Sequence, residues 1–266
     1  MRRFSLFAAV AIGLASPTAA QTALPADPLQ SPMWEFVAEQ MFGEGAVVRF
    51  DNRLKVTFPG IAENQRTFPV AVDGRGIEGI QRIILFADLN PIQQAIDYRL
   101  AAAEPYLATR IKLDQRTPVR GAAQLVDGSW IVSGGWIDAA GGGCSAPPVS
   151  RVKGDWSQHL GEVRGRAWAG AGDTRLRLTF RHPMDTGLVD NIATYHIDEL
   201  IFSTAAGKAV GTMTMMASVS EDPVITVMPR AGAGETLVLA GRDTNGITYD
   251  ARVPIGAAIS AAGAAR

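Results

Sequence analysis

The chain has 266 residues, a formal net charge of −1 and 47% hydrophobic residues. That near-neutral balance builds no basic field for nucleic acid or for an anionic membrane surface. The apolar content supports a core without disulfides or metals, enough for one large domain or two small ones.

Residues 1–20 read as a secretory signal: Arg2 and Arg3 supply charge, Leu6 to Leu14 an apolar stretch, and Thr18-Ala19-Ala20 a small-residue cleavage site before Gln21. The apolar run is too short to span a bilayer, so an exported chain cleaved near Ala20 is expected. The paired arginines fit the twin-arginine route, but ordinary charge in the n-region explains them as well and is the preferred reading.

A leader with one short helix is expected over 21–44. Ser31-Pro32 resembles an N-cap followed by proline at the first helical position. Trp34, Val37 and Met41 recur at helical spacing, and Gly43 can end the helix.

The period then changes to two. Leu54, Val56 and Phe58 alternate with polar residues and Pro59-Gly60 ends that strand. Phe68 to Val72 is a second strand. Ile80 to Phe86 is a third, apolar on both faces and so central. Asp127-Gly128 between apolar runs marks a hairpin.

After 145–160, which reads as a linker, Leu176, Leu178 and Phe180 alternate with Arg175, Arg177 and Thr179. Further strands are expected at 196–203, 209–217, 224–228, 235–240 and 247–253, with a tight turn at Asn245-Gly246. Short strands at regular spacing predict an all-β protein: two immunoglobulin-like β-sandwich domains, 45–143 and 160–256, after a short N-terminal helix. A cysteine-bearing linker over 144–159 joins them, and the Ala-rich tail 257–266 frays.

Cys144 is the only cysteine. It follows Gly141, Gly142 and Gly143 and precedes Ser145-Ala146-Pro147-Pro148. Glycine leaves the backbone least restricted, so the expectation is a flexible arm presenting an accessible thiol. In an oxidising compartment an odd cysteine suggests a reactive thiol or an intermolecular bond; the plainer alternative is an inert exposed residue.

Other chemistry is sparse. Phosphate-loop, H-E-x-x-H and C-x-x-C signatures are missing, and no cofactor is expected. His159, His182 and His196 offer bases, but a glycine arm does not hold a nucleophile rigidly for hydrolysis. His182 and Met184, with Met213, Met215, Met216 and Met228, are soft ligands suited to copper, although methionine commonly fills cores. Asp198-Glu199 reads as a solvated strand edge, and turn chemistry accounts for Asn64, Asp88 and Asn90.

Taken together these segments resemble the SoxYZ sulfur-oxidation carriers. Phe58-Pro59-Gly60-Ile61-Ala62-Glu63-Asn64 with Phe68-Pro69-Val70, then Ala87-Asp88-Leu89-Asn90-Pro91, then Gly142-Gly143-Cys144, are similar to SoxY motifs. His182-Pro183-Met184-Asp185-Thr186-Gly187, Tyr195-His196-Ile197 and Val219-Ser220-Glu221-Asp222-Pro223 are similar to SoxZ motifs. A single-chain fusion looks most like the carriers associated with quinoprotein dehydrogenases.

The resemblance implies a periplasmic, non-enzymatic carrier holding a sulfur group covalently on Cys144. Its implied partners are periplasmic oxidoreductases: sulfur-oxidation enzymes, or a quinoprotein dehydrogenase and cytochrome c system. SoxY bears its cysteine on a free C-terminal tail, whereas a second domain follows Cys144 here. A copper-binding protein and a non-catalytic interaction module for a dehydrogenase stand as alternatives.

Overall fold

A computed structural model describes residues 24–170 and 174–256. The expected signal segment 1–20 and tail 257–266 lie outside the described residues.

Helix α1 spans Trp34–Phe42 and stops at Gly43, whose φ of 88° suits glycine. Strands β1 (Val48–Phe50), β2 (Lys55–Thr57), β3 (Phe68–Asp73), β4 (Ile80–Ala87), β5 (Gln94–Leu100), β6 (Ala103–Ile111), β7 (Thr117–Leu125) and β8 (Trp130–Ile137) form the first half. A short helix α2 (Val149–Lys153) and one 3-10 turn (Trp156–Gln158) lead to the second half. There follow β9 (Val163–Ala169), β10 (Thr174–Phe180), β11 (Ile197–Thr204), β12 (Ala209–Met215), β13 (Val224–Pro229), β14 (Thr236–Asp243) and β15 (Thr248–Gly256). The chain is thus all-β, with immunoglobulin-like sandwich halves and a short N-terminal helix.

The periodicities explain the placements. Along β10, Leu176, Leu178 and Phe180 are buried while Arg175, Arg177 and Thr179 face water. Strand β4 lies between β5 and β7. It is apolar on both faces because both are covered. Ile83 and Leu85 enter the main core. Ile84 and Phe86 meet Trp34, Val37 and Met41 of α1 on the outer face. The helical stripe seen in the sequence is what seals that face.

Arg120 on β7 is fully buried and ion-paired with both Asp88, at 3.0 Å, and Asp27, at 2.7 Å, beneath the Trp34 ring. Asp27 also accepts the N–H groups of Leu29 and Ser31. Asp88 is therefore a buried ion-pair partner that ties the leader down, a role turn chemistry alone does not predict. Asn90 accepts the Asp114 N–H through Oδ1 and donates through Nδ2 to the Lys112 carbonyl.

The two sandwich halves share their sheets. In one layer β1-β8-β7-β4-β5 continues into β12-β11-β14-β15. In the other β2-β3-β6 continues into β13-β10-β9, and β15 pairs with β9 to join the layers. Across the seam Tyr98 registers with Met213 and Leu107 with Val227, all antiparallel. A single hydrophobic core runs through both halves, with the Tyr98 and Phe202 rings edge to face at 6.1 Å. Strands β5 and β6, which make the seam, were passed over in the sequence. The inward positions of β6 are Ala103, Pro105, Leu107, Thr109 and Ile111, a weak apolar alternation.

Candidate functional site: a strapped thiol in the seam

The glycine segment leaves β8 and docks. Gly141 and Gly142 hold φ of 99° and 81°, the left-handed region that favours glycine. A Cβ on Gly143 would lie 2.3 Å from the Leu113 carbonyl oxygen and 2.4 Å from that of Gln65. The Gly143 N–H donates to the Leu113 carbonyl at 3.1 Å. Glycine at 143 thus serves close approach of two backbones.

This corrects the expectation of a flexible, accessible arm: Cys144 is 1% exposed. Its N–H donates to Asp114 Oδ1 at 3.0 Å, and the same oxygen takes the N–H and Oγ–H of Ser145. From the second half, Thr186 Oγ1 donates to the Cys144 carbonyl at 2.6 Å. Both halves grip the thiol-bearing residue.

The segment after it, read in the sequence as a linker, is a strap held to both halves. Arg66 donates to the Pro147 carbonyl. The Glu221 carboxylate accepts the Val149 and Ser150 N–H groups at the start of α2. Arg151 pairs with buried Asp185 and its guanidinium lies 4.2 Å from the Trp156 ring centre. The two prolines help, since each limits the conformations the free chain would explore.

Lys112 sits beside this strap, 5% exposed. Its Nζ donates to the carbonyls of Met184 and Ala217, both in the second half. Burial lowers its pKa to about 8, a fall that a negative charge at Cys144 would oppose. Burial pushes the Cys144 thiol up to about 12, with Lys112 pulling it back and Asp114 adding to the rise. The docked thiol is protonated at neutral pH and a poor nucleophile.

The histidines and methionines do other work. His182 is buried, its Nδ1 accepting the Met184 N–H at 2.9 Å, and burial takes its pKa to about 3. Met184 Sδ accepts the Ile197 N–H at 3.4 Å, and its backbone holds a φ of 51°. The His182–Gly187 stretch is therefore a structural turn that aims the Met184 carbonyl at Lys112 and the Thr186 hydroxyl at Cys144. Met213 and Met215 are core residues. Among the described residues no three His, Cys, Asp or Glu side chains are grouped to hold a metal. His159 pairs with Glu162 near the surface, and none of the hydrogen bonds among the described residues links a histidine to Cys144. His196 is buried.

Gly141, Gly142, Gly143 and Cys144 thus converge with Lys112, Asp114, Thr186 and Glu221. Lys112 and Asp114 were missed in the sequence. The available signal was a lysine held between Ile111 and Leu113 at the end of the weak apolar alternation of β6.

The class is a two-layer β protein whose halves share their sheets and enclose one strapped thiol. The family model for sulfur oxidation protein SoxY matches residues 38–144, and that for sulphur oxidation protein SoxZ matches 163–254. Together they take in most of the chain, which belongs to the SoxY–SoxZ family of sulfur-oxidation carriers with both parts in one polypeptide.

No curated protein matches the sequence. Among solved structures, the sulfur carrier protein SoxY from Chlorobium limicola is 19% identical with a TM-score of 0.36, covering 40% of this chain and 94% of that one. The receptor tyrosine kinase Torso is 7% identical with a TM-score of 0.25, covering 89% and 94%. A beta-glycosidase from Bacteroides vulgatus is 10% identical with a TM-score of 0.23, covering 76% and 24%. Scores this low say nothing of function.

Proposed function

We propose that this protein is a periplasmic, non-catalytic carrier that holds a sulfur group covalently on Cys144 and presents it to partner oxidoreductases. The observation that carries this reading is position: the only cysteine is the last residue matched by SoxY, behind Gly142-Gly143, where both halves grip it. The signal expected at residues 1–20 supports export to the periplasm. Because the docked thiol is protonated and covered, loading requires the strap to lift, and the docked form is the resting carrier.

The chemistry supports an oxidoreductase partner. Joining a thiol to thiosulfate through a new S–S bond releases one proton and two electrons. The chain's single thiol is consumed in that bond, so on this reading the partner supplies the electron acceptor. Sulfur-oxidation enzymes, or a quinoprotein dehydrogenase with its cytochrome c, meet that need.

One observation favours a second reading, a non-catalytic interaction module for a periplasmic dehydrogenase in which Cys144 is incidental. It is the burial of the thiol. Intact mass of protein taken from actively sulfur-oxidising cells separates the two. The carrier reading expects added sulfur on wild type, removed by reductant and missing from Cys144→Ser. Wild type without added mass would favour the module. Because Cys144 is packed, the serine variant is expected to lose about 1 kcal/mol for an imperfectly paired hydroxyl and to remain folded.

A further inference from the structure

Lys112 belongs to the first half, yet its side chain crosses the seam to two carbonyls of the second. An ammonium has three N–H donors. Two are used, and the third has no hydrogen-bond partner among the described residues. A buried cation facing neutral carbonyls is costly, and an apolar side chain of like length would fill the space more cheaply. Fold stability therefore does not explain the lysine.

Its surroundings do. The strap lies against the residues beside it: Gly143 donates to the Leu113 carbonyl, and Cys144 and Ser145 to Asp114. The amine and the cysteine also reach the same turn, Lys112 at the Met184 carbonyl and Cys144 at the Thr186 hydroxyl. Among the ionisable groups around Lys112, an anion at Cys144 would act on it most strongly, ahead of Asp185 and Glu221, with Arg66 opposed. His182 and His196 face the same region and are both neutral there, their pKa values lowered by burial. The Asp114 carboxylate accepts the Cys144 N–H and its charge raises the thiol pKa.

Building on the carrier reading, we infer that Lys112 is a positioning residue for the carrier site: its ammonium is the counter-charge that holds an anion at position 144 when the strap is docked. The unused third donor is available to that anion. An unloaded strap docks with a neutral thiol. A strap bearing an anionic sulfur group docks with its charge paired to the Lys112 ammonium, which in the unloaded state faces only a neutral thiol and carbonyls.

The test compares Cys144→Asp with Cys144→Asn, a charged and a neutral side chain of one shape, with carbon-13 NMR at the lysine ε position reading the Lys112 pKa. Hydrogen exchange at the Ser145 amide reports docking. In the Asp variant the strap is expected to stay docked, and Lys112 to bind its proton at least about tenfold more tightly than in the Asn variant. Adding Lys112→Met should release the strap in the Asp background and leave it docked in the Asn background. The inference is overturned if Lys112 titrates alike in both variants. It is equally overturned if the Asp variant alone releases the strap or fails to fold while Lys112 is present. Sulfur bound to wild-type Cys144 is measured separately by mass, so the carrier reading stands or falls independently.

Discussion

Asp114 Oδ1 accepts the backbone N–H of Cys144 at 3.0 Å. Two more hydrogen bonds from Ser145 end on the same oxygen, so one carboxylate is the clamp at the thiol. Hydrogen bonds to an ionised acceptor are the stronger kind, each worth about 1.5–3 kcal/mol. Asp114→Ala is expected to raise the rate of Cys144 labelling by a neutral thiol reagent at least about tenfold, since about 1.4 kcal/mol corresponds to that factor. Asp114→Asn, which keeps an acceptor, should fall between the two. Equal labelling rates in wild type and Asp114→Ala would show that the clamp lies elsewhere.

Gly143→Ala tests the reason for that glycine. The new Cβ meets the carbonyl oxygens of Leu113 and Gln65 at 2.3 and 2.4 Å, and backbone cannot swing aside. The strap should leave its seat and Cys144 should label rapidly, while circular dichroism of the strands is unchanged. A Gly143→Ala protein that labels as slowly as wild type would return the glycine to a role in mobility.

Stability should depend on pH through the buried pair. The folded Lys112 pKa of about 8 lies below its ordinary 10.5, so between those values the unfolded chain binds more protons and stability rises with pH. The folded Cys144 pKa of about 12 lies above its ordinary 9.0, so over that window the folded chain binds more protons and stability falls as pH rises. Cys144→Ser removes the falling limb. The stability of the serine variant relative to wild type should therefore increase from about pH 9 upward, other titrations cancelling between the two. Urea melts at closely spaced pH values read this directly, and parallel curves would contradict it.

Cutting the strap should leave the halves together. Both sheet layers continue across the seam, through β5–β12 and β6–β13, and one core spans it. A protease site placed after Gly154, once cleaved, should give two fragments that co-elute at micromolar concentration in gel filtration and part only in denaturant. Fragments that separate freely would mean the seam depends on the covalent link.

Much of the fold was legible. The stripe of Trp34, Val37 and Met41, the alternation through β10, and the Asp127-Gly128 turn are local patterns set by helical or strand geometry. The double-faced apolar run of β4 announced a covered strand, and α1 proved to be the cover. Strands β5 and β6 were illegible because their inward residues are Ala, Pro and Thr as often as Leu or Ile, and their partners lie a hundred residues or so downstream.

The sequence by itself determined the all-β character, the helix that caps the sheet, and the identity of the single thiol behind its three glycines, because these follow from periodicity and composition along short stretches. Tertiary structure alone decided that the halves share their sheets, that Gly143 serves contact, and that Lys112 and Asp114 flank Cys144. The physical reason is that glycine permits both mobility and close approach, and only a neighbouring backbone selects between them. Likewise a thiol's charge depends on burial and on cations brought close by strand pairing. For Cys144 those neighbours come from residues 112–114 and 184–186, on opposite sides of the seam.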